Sequence, residues 1–227
     1  MADIDISLRD RSCCPLCGDE GARLLMSFHD TRLSNETLSD FGYSQETEFP
    51  IVECAGCKFM YSKRLLSDAG LNGRYEKLTD HRKSLETCFR PAIYLDMLKV
   101  WTEVFPRVAA DAERISIKAL DFGCGWGAYM KTVQYYGIEC FGFDFDCTKA
   151  AFVRDQGMTM IAEPEAAAPF DMIICNQVLE HLKDPLETAA RFRNLLKPGG
   201  FAWVSVPFNS HGLMADLEKG PPYRRVI

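Results

Sequence analysis

The chain has 227 residues, 47% hydrophobic and 26% charged, with 32 acidic against 26 basic side chains and a net charge of −6. That length fits one α/β domain plus a small appendage rather than two enzymatic domains. The acidic balance, without clustered Lys and Arg, argues against a nucleic-acid surface, and no apolar run approaches the ~18 residues of a membrane span.

The opening MADIDISLRDR alternates charge and has no apolar core, so it is expected to be neither a secretory signal nor an anchor. Ten cysteines without an export signal then read as thiols or metal ligands in a reducing cytoplasm. Four of them, Cys14, Cys17, Cys54 and Cys57, form CPLC and CAGC. Two such knuckles place four thiolates on converging turns, which suits tetrahedral zinc. Gly18 and Gly56 support the tight turns, and Cys13 is set aside because Cys14 has the correct spacing to Cys17. Cys88, Cys124, Cys140, Cys147 and Cys175 read as ordinary core or loop thiols.

Around the knuckles, ARLLMSF and FPIVEC are predicted strands separated by a polar stretch from Asp30 to Glu48. KFMYSKRLLSDAGLNGRYEK supplies another strand and a helix starting at Ser67, with Asp68 in its first turn. A zinc-ribbon-like module over 1–66 is too small for a large core, so metal would supply much of its folding energy. Linking helices follow over 67–114. From 80 to 113 the pattern is helical, with Ile93, Leu95, Met97, Leu98, Val100, Trp101, Val104 and Phe105 on a wide apolar face and Pro106 ending or bending it.

From 115 to 227 the elements alternate. Strands are predicted at 115–121, 138–144, 158–162, 170–175 and 201–206, and helices at 127–136, 147–156 and 185–196. This is an α/β pattern that implies a doubly wound, mostly parallel sheet, with ligands at the carboxyl ends of its strands. The first strand runs into ALDFGCGWG, where Gly123, Gly125 and Gly127 permit a tight turn and close approach of a nucleotide-like cofactor. Gly123, Gly125 and Ala128 also satisfy the loose dinucleotide pattern, so the loop alone leaves the cofactor open. Asp144, at the tip of the next strand, can accept both hydroxyls of a ribose, while Asp146 is the expected helix cap. Phe145 offers a flat apolar wall for an adenine ring.

The stretch PFDMIICNQVLEHLKDPLETAARFRNLLKPGGFAWVSVP closely resembles class I S-adenosylmethionine-dependent methyltransferases, with a fourth strand, a VLEHL helix start and an LKPGG turn in that order. ALDFGCGWG and FGFD resemble the first two motifs of that family. The front half, CPLCG followed by CAGCKFMYSKRLLS and the helix bearing Tyr75, is similar to the zinc-binding segment of a group that includes sugar C-methyltransferases. The resemblance implies that Asp121, Gly123 and Gly125 line the methionine part of S-adenosylmethionine, that Asp144 binds its ribose, and that Asn176 and Gln177 lie between cofactor and acceptor. Glu163 is left out of this set, and Trp126 in place of a small residue is expected to narrow the entrance.

The cofactor would supply an electrophilic methyl for in-line transfer to a small-molecule acceptor, a sugar or sugar nucleotide among the candidates. The protein's task is alignment and exclusion of water. Glu180 and His181 are the nearest candidates for a base, although adjacent helical residues diverge by about 100°. His211 is a weaker candidate, and His29 and His81 read as surface residues. Only a short tail follows the fifth strand, so the usual C-terminal strands are expected to be missing. WVSV is then an open edge for a partner, a second copy or the tail GLMADLEKGPPYRRVI to cover. That keeps a second reading in view, a cofactor-binding but catalytically weak interaction module.

Overall fold

The computed structural model describes residues 8–31, 33–103, 106 and 116–206. The expected roles of Val104, Phe105, His211 and the tail after the fifth strand lie outside those residues. The described residues divide into two compact units, one ending at Thr79 and the other beginning at Asp80. The boundary falls between two helices, inside the stretch expected to link the modules.

The first unit is built from short strands. β1 (Leu8–Asp10) pairs antiparallel with β5 (Arg64–Leu66), and β2 (Ala22–His29), β3 (Glu48–Cys54) and β4 (Met60–Ser62) form an antiparallel sheet in that order. The polar stretch before β3 is not simply a loop. It contains α1 (Asn35–Ser39), whose first turn is capped by Ser34 Oγ accepting from the Thr37 amide. Leu38, Phe41, Tyr43 and Phe49 bury themselves there as a small apolar cluster.

α2 (Asp68–Leu78) starts as expected, with Ser67 Oγ accepting the Gly70 amide. On α2, Arg74 is buried with Asp30 and Tyr43. Its Nη2 donates to Asp30 Oδ2 at 2.7 Å, and the Tyr43 hydroxyl donates to the same oxygen at 3.0 Å. A buried charge pair is tolerated when its hydrogen-bonding capacity is met in this way.

The expected helix over 80–113 is two helices, α3 (His81–Cys88) and α4 (Pro91–Glu103), broken at Phe89 and Arg90. Pro91 explains the break, because its ring disfavours helical backbone at the preceding residue and it is best placed in a first turn. Among the apolar residues of α4 whose side chains are described, Met97 is buried, whereas Leu95 and Leu98 are exposed.

The second unit carries a five-stranded parallel sheet of β6 (Lys118–Phe122), β7 (Glu139–Phe143), β8 (Thr159–Met160), β9 (Phe170–Asn176) and β10 (Leu196–Ser205), in the order β10-β9-β6-β7-β8. α5 (Ala128–Gln134), α6 (Cys147–Asp155) and α7 (Pro185–Leu195) make the crossovers. The period-2 alternation of each strand sorts the core into two layers. Ala119, Cys140, Met172 and Ile174 face Met130 and Val133 of α5 and Val153 of α6, while Leu120, Phe122, Phe143 and Ile173 face Phe192 and Leu195 of α7. β8 has two residues where five were expected, and LKPGG lies within β10 as a register shift between Leu196 and Phe201. The chain reverses strand order between β6 and β9, which is where ligands enter such sheets.

Candidate cofactor cleft and cysteine centre

The glycine loop is pinned at that switch point. The Gly123 amide donates to the Phe143 carbonyl at 2.7 Å and the Cys124 amide to the same oxygen at 3.1 Å, so the loop folds over the end of β7. Gly123, Gly125 and Gly127 have φ of 75°, 55° and 77°, a region that penalises any side chain. A Cβ on Gly123 would also run into Val178. One on Gly125 would meet nothing within 4 Å, so its face of the loop is open to a ligand.

Asp144 bridges the loop to α6. Its Oδ2 accepts the Gly125 amide at 2.7 Å and its Oδ1 accepts the Asp146 amide at 2.8 Å. Asp146 is the cap, as expected, accepting the Thr148 and Lys149 amides. Asp121 is buried on β6 with Oδ2 lacking a hydrogen-bond partner, and burial first, then the charge of Asp144, push its carboxyl up to about 8 despite the Met130 amide. A buried acceptor without a donor is costly, and a cationic or N–H-bearing ligand would relieve it.

The other expected residues fall at the same end of the sheet. Asn176 ends β9, and Gln177 follows with φ of 56°, a strained conformation for a residue with a side chain. Ser205 of β10, which the sequence reading missed, ties both. Its Oγ donates to Asn176 Oδ1 at 2.8 Å and accepts from Gln177 Nε2 at 3.2 Å. Phe145 is largely exposed, with its ring edge-on to Phe143 at 4.9 Å. Glu163 and Glu165 are both engaged by Arg191, which also lies 5.6 Å from the Phe143 ring centre.

Glu180 and His181 lie in a single 3-10 turn, Leu179–His181, before α7. They do not form a hydrogen-bonded couple: His181 Nε2 is 3.9 Å from Glu180 Oε1, while Glu180 Oε2 is buried without a partner.

Two sequence expectations are corrected. Trp126 does not stand in the entrance; it is buried, and its Nε1 donates to Ser84 Oγ of α3 at 3.0 Å. His81 is not a free surface residue, because its Nε2 pairs with Asp146 Oδ2 at 2.9 Å. Separately, a hollow of about 540 Å³ lies between α7 and β10, lined by Leu179, Phe192, Leu196, Ala202 and Val204 among others. It includes none of the glycine-loop residues.

In the first unit, the Sγ atoms of Cys14, Cys17, Cys54 and Cys57 all lie within 4.8 Å of one another. Cys17 and Cys54 are 3.4 Å apart and Cys14 and Cys57 3.6 Å, close to the ~3.8 Å edge of a tetrahedron with 2.3 Å metal–sulfur bonds. The knuckles repeat one another: Leu16 and Cys57 amides donate to Cys14 and Cys54 sulfurs, and Gly18 and Lys58 follow in left-handed backbone. The Cys57 amide helps hold the Cys54 thiol down to about 7. Cys57 is pushed up to about 12, since burial and the other three sulfurs outweigh the amide of Phe59. Four sulfurs this close cannot all ionise without a cation among them.

A parallel sheet with a left-handed glycine loop at its switch point and a carboxylate on the neighbouring strand end defines the α/β class that cradles nucleoside-bearing cofactors. The family model described as a methyltransferase domain matches residues 94–225, more than half of the chain. The chain belongs to that family, and within it to the class I S-adenosylmethionine-dependent methyltransferases. Relatives include the ubiquinone biosynthesis O-methyltransferases of Caulobacter vibrioides, 31% identical over 51% of this chain and 50% of that one, and of Marinobacter nauticus, 31% identical over 41% and 46%. The chain spans about half the length of the curated relatives it matches. A crystal structure of a plantazolicin methyltransferase with a substrate analog and SAH shares the fold, with TM-score 0.50 and 16% identity over 67% of this chain and 62% of that one. No helix among the described residues is long and apolar enough to cross a membrane.

Proposed function

We propose that the cleft around Gly123, Gly125 and Asp144 binds S-adenosylmethionine and that the chain transfers its methyl group to a small-molecule acceptor. The observation that carries the reading is the junction of an open Gly125 face, the Asp144 bridge and the unpartnered Asp121 carboxylate. Asp121 would face the ammonium of the methionine part, Asp144 the ribose and Phe145 the base. When bound, the cofactor supplies an activated methyl; the chain's own residues orient it and keep water out.

The name shared by the relatives favours an oxygen acceptor, and the cysteine segment's resemblance keeps a sugar or sugar nucleotide as the finer proposal. Oxygen as nucleophile needs a proton taken away, and in this reading His181 takes it, with Glu180 as the second candidate base. Asn176 and Gln177, held by Ser205, orient the acceptor. Cys14, Cys17, Cys54 and Cys57 hold zinc, and a partner or second copy pairs with β10. The division proposed for the chain is the cysteine module, linking helices and the methyltransferase domain.

Calorimetric titration with S-adenosylmethionine and with NAD tests the cofactor. Micromolar binding of the first and none of the second is expected, with loss on Asp144→Ala; unchanged binding by Asp144→Ala would sink the assignment. Metal analysis of purified protein tests the cysteine centre, with one zinc per chain expected and none after Cys54→Ser together with Cys57→Ser.

A further inference from the structure

Three polar or sulfur-bearing residues of α3 share one face. His81, Ser84 and Cys88 are spaced i, i+3 and i+7, so one side of this helix carries all three. Each is tied to the cofactor cleft. The Trp126 indole, inside the glycine loop, donates to Ser84 Oγ at 3.0 Å, and Cys88 packs against the core cluster that includes Cys124 and Ala128. His81 pairs with Asp146 Oδ2 at 2.9 Å and presents its ring edge-on to Trp126 at 5.9 Å.

These ties continue inward. Asp146 donates its amide to Asp144 Oδ1, and Asp144 Oδ2 accepts the Gly125 amide, so one ladder runs from His81 through Asp146 and Asp144 to Gly125. A second runs from Ser84 directly to Trp126. Both end on the loop whose three left-handed glycines give it the greatest conformational freedom to lose on binding.

We propose that α3 is a clasp that pre-sets the glycine loop and Asp144 for the cofactor, with His81 its principal positioning residue and Ser84 its support. The inference rests on the reading of the cleft as an S-adenosylmethionine site. Its physical basis is preorganisation: a loop already held in its bound shape loses less entropy when the ligand arrives.

Beside the His81–Asp146 pair, Lys149 of α6 places its Nζ 3.5 Å from Asp146 Oδ2, and the glycine loop contributes the Trp126 ring.

The test is calorimetric titration of the full chain with S-adenosylmethionine. Parent, His81→Ala, His81→Gln, Ser84→Ala and Asp144→Ala chains are compared, with circular dichroism confirming the fold. His81→Ala is expected to bind about tenfold more weakly, as for loss of a hydrogen bond to a carboxylate. His81→Gln, whose amide donates from a similar place, should recover most of the affinity. Ser84→Ala, which cuts the other ladder, should weaken binding roughly threefold and carries the test where His81→Ala does not fold. The clasp is overturned where Asp144→Ala loses binding but the His81→Ala and Ser84→Ala variants match the parent. If Asp144→Ala itself binds like the parent, the cofactor reading fails and the clasp falls with it.

Discussion

The two compact units reach stability by different means. In the second, both faces of a parallel sheet are covered by helices, and large side chains such as Phe122, Met130, Met172 and Ile173 are almost completely buried. In the first, the apolar clusters are small, one of them built from two of the four clustered cysteines with Val52 and Tyr61, and a buried Asp30–Arg74–Tyr43 network supplements them. The contrast teaches that hydrophobic area can define one unit of this chain, while the other has less of it and is the one that the proposed metal–sulfur bonds would complete.

Removing metal should break that contrast most sharply. Structural zinc sites contribute roughly 10–16 kcal/mol, so a strong chelator, or Cys54→Ser, is expected to abolish amide-exchange protection across β3 and β4. Retained protection there would show that the apolar clusters suffice. The corresponding injury to the second unit is a cavity: Phe192→Ala should cost about 3–5 kcal/mol in thermal or denaturant unfolding. A cost below about 1 kcal/mol would mean that the α7 layer is dispensable.

A finer cut separates stability from function within the second unit. Asp121→Asn should raise the melting temperature of the ligand-free protein, by an amount equivalent to about 1–2 kcal/mol at pH 8, while weakening S-adenosylmethionine binding. The sign follows from burial. The carboxyl of Asp121 is held at about 8 in the fold against an ordinary value of 3.8, so the native state keeps an extra proton between those values. Its contribution therefore favours folding at low pH and is lost as pH rises from about 4 to about 8. Melting curves of parent and variant across that range should diverge toward the alkaline end; parallel curves would refute the assignment.

The smallest effect is expected at Lys58, whose φ of 64° follows the second cysteine knuckle. Lys58→Gly should stabilise the metal-loaded first unit by up to about 1 kcal/mol, by relieving a left-handed conformation that glycine adopts freely. A loss of stability would mean that the lysine side chain contributes more than its backbone strain removes.

Much of this was legible because its signals are local. The knuckles, Ser67 as a cap, the glycine loop and the strand–helix alternation each depend on residues a few positions apart, and the observed elements follow them closely. The break before Pro91 was equally local, yet the continuous apolar periodicity on either side concealed it. The role of the Asp30–Glu48 stretch was concealed differently, since its polar composition hides three residues, Leu38, Phe41 and Tyr43, that pack with Phe49 of β3 only after the chain turns back.

What the sequence determined by itself was the class of fold, the four sulfur ligands brought forward as a metal set, and the loop and acid proposed for the cofactor. Short-range backbone constraints and side-chain period are enough to specify them. Tertiary structure alone decided that Trp126 is buried under α3, that His81 reaches Asp146 and that Ser205 holds Asn176 and Gln177. In these cases the partners are 28 to 65 positions apart, and their meeting depends on how helices and strands pack across the sheet. For Glu180 and His181 the divergence of adjacent side chains was foreshadowed by their spacing, and the structure supplied the separation.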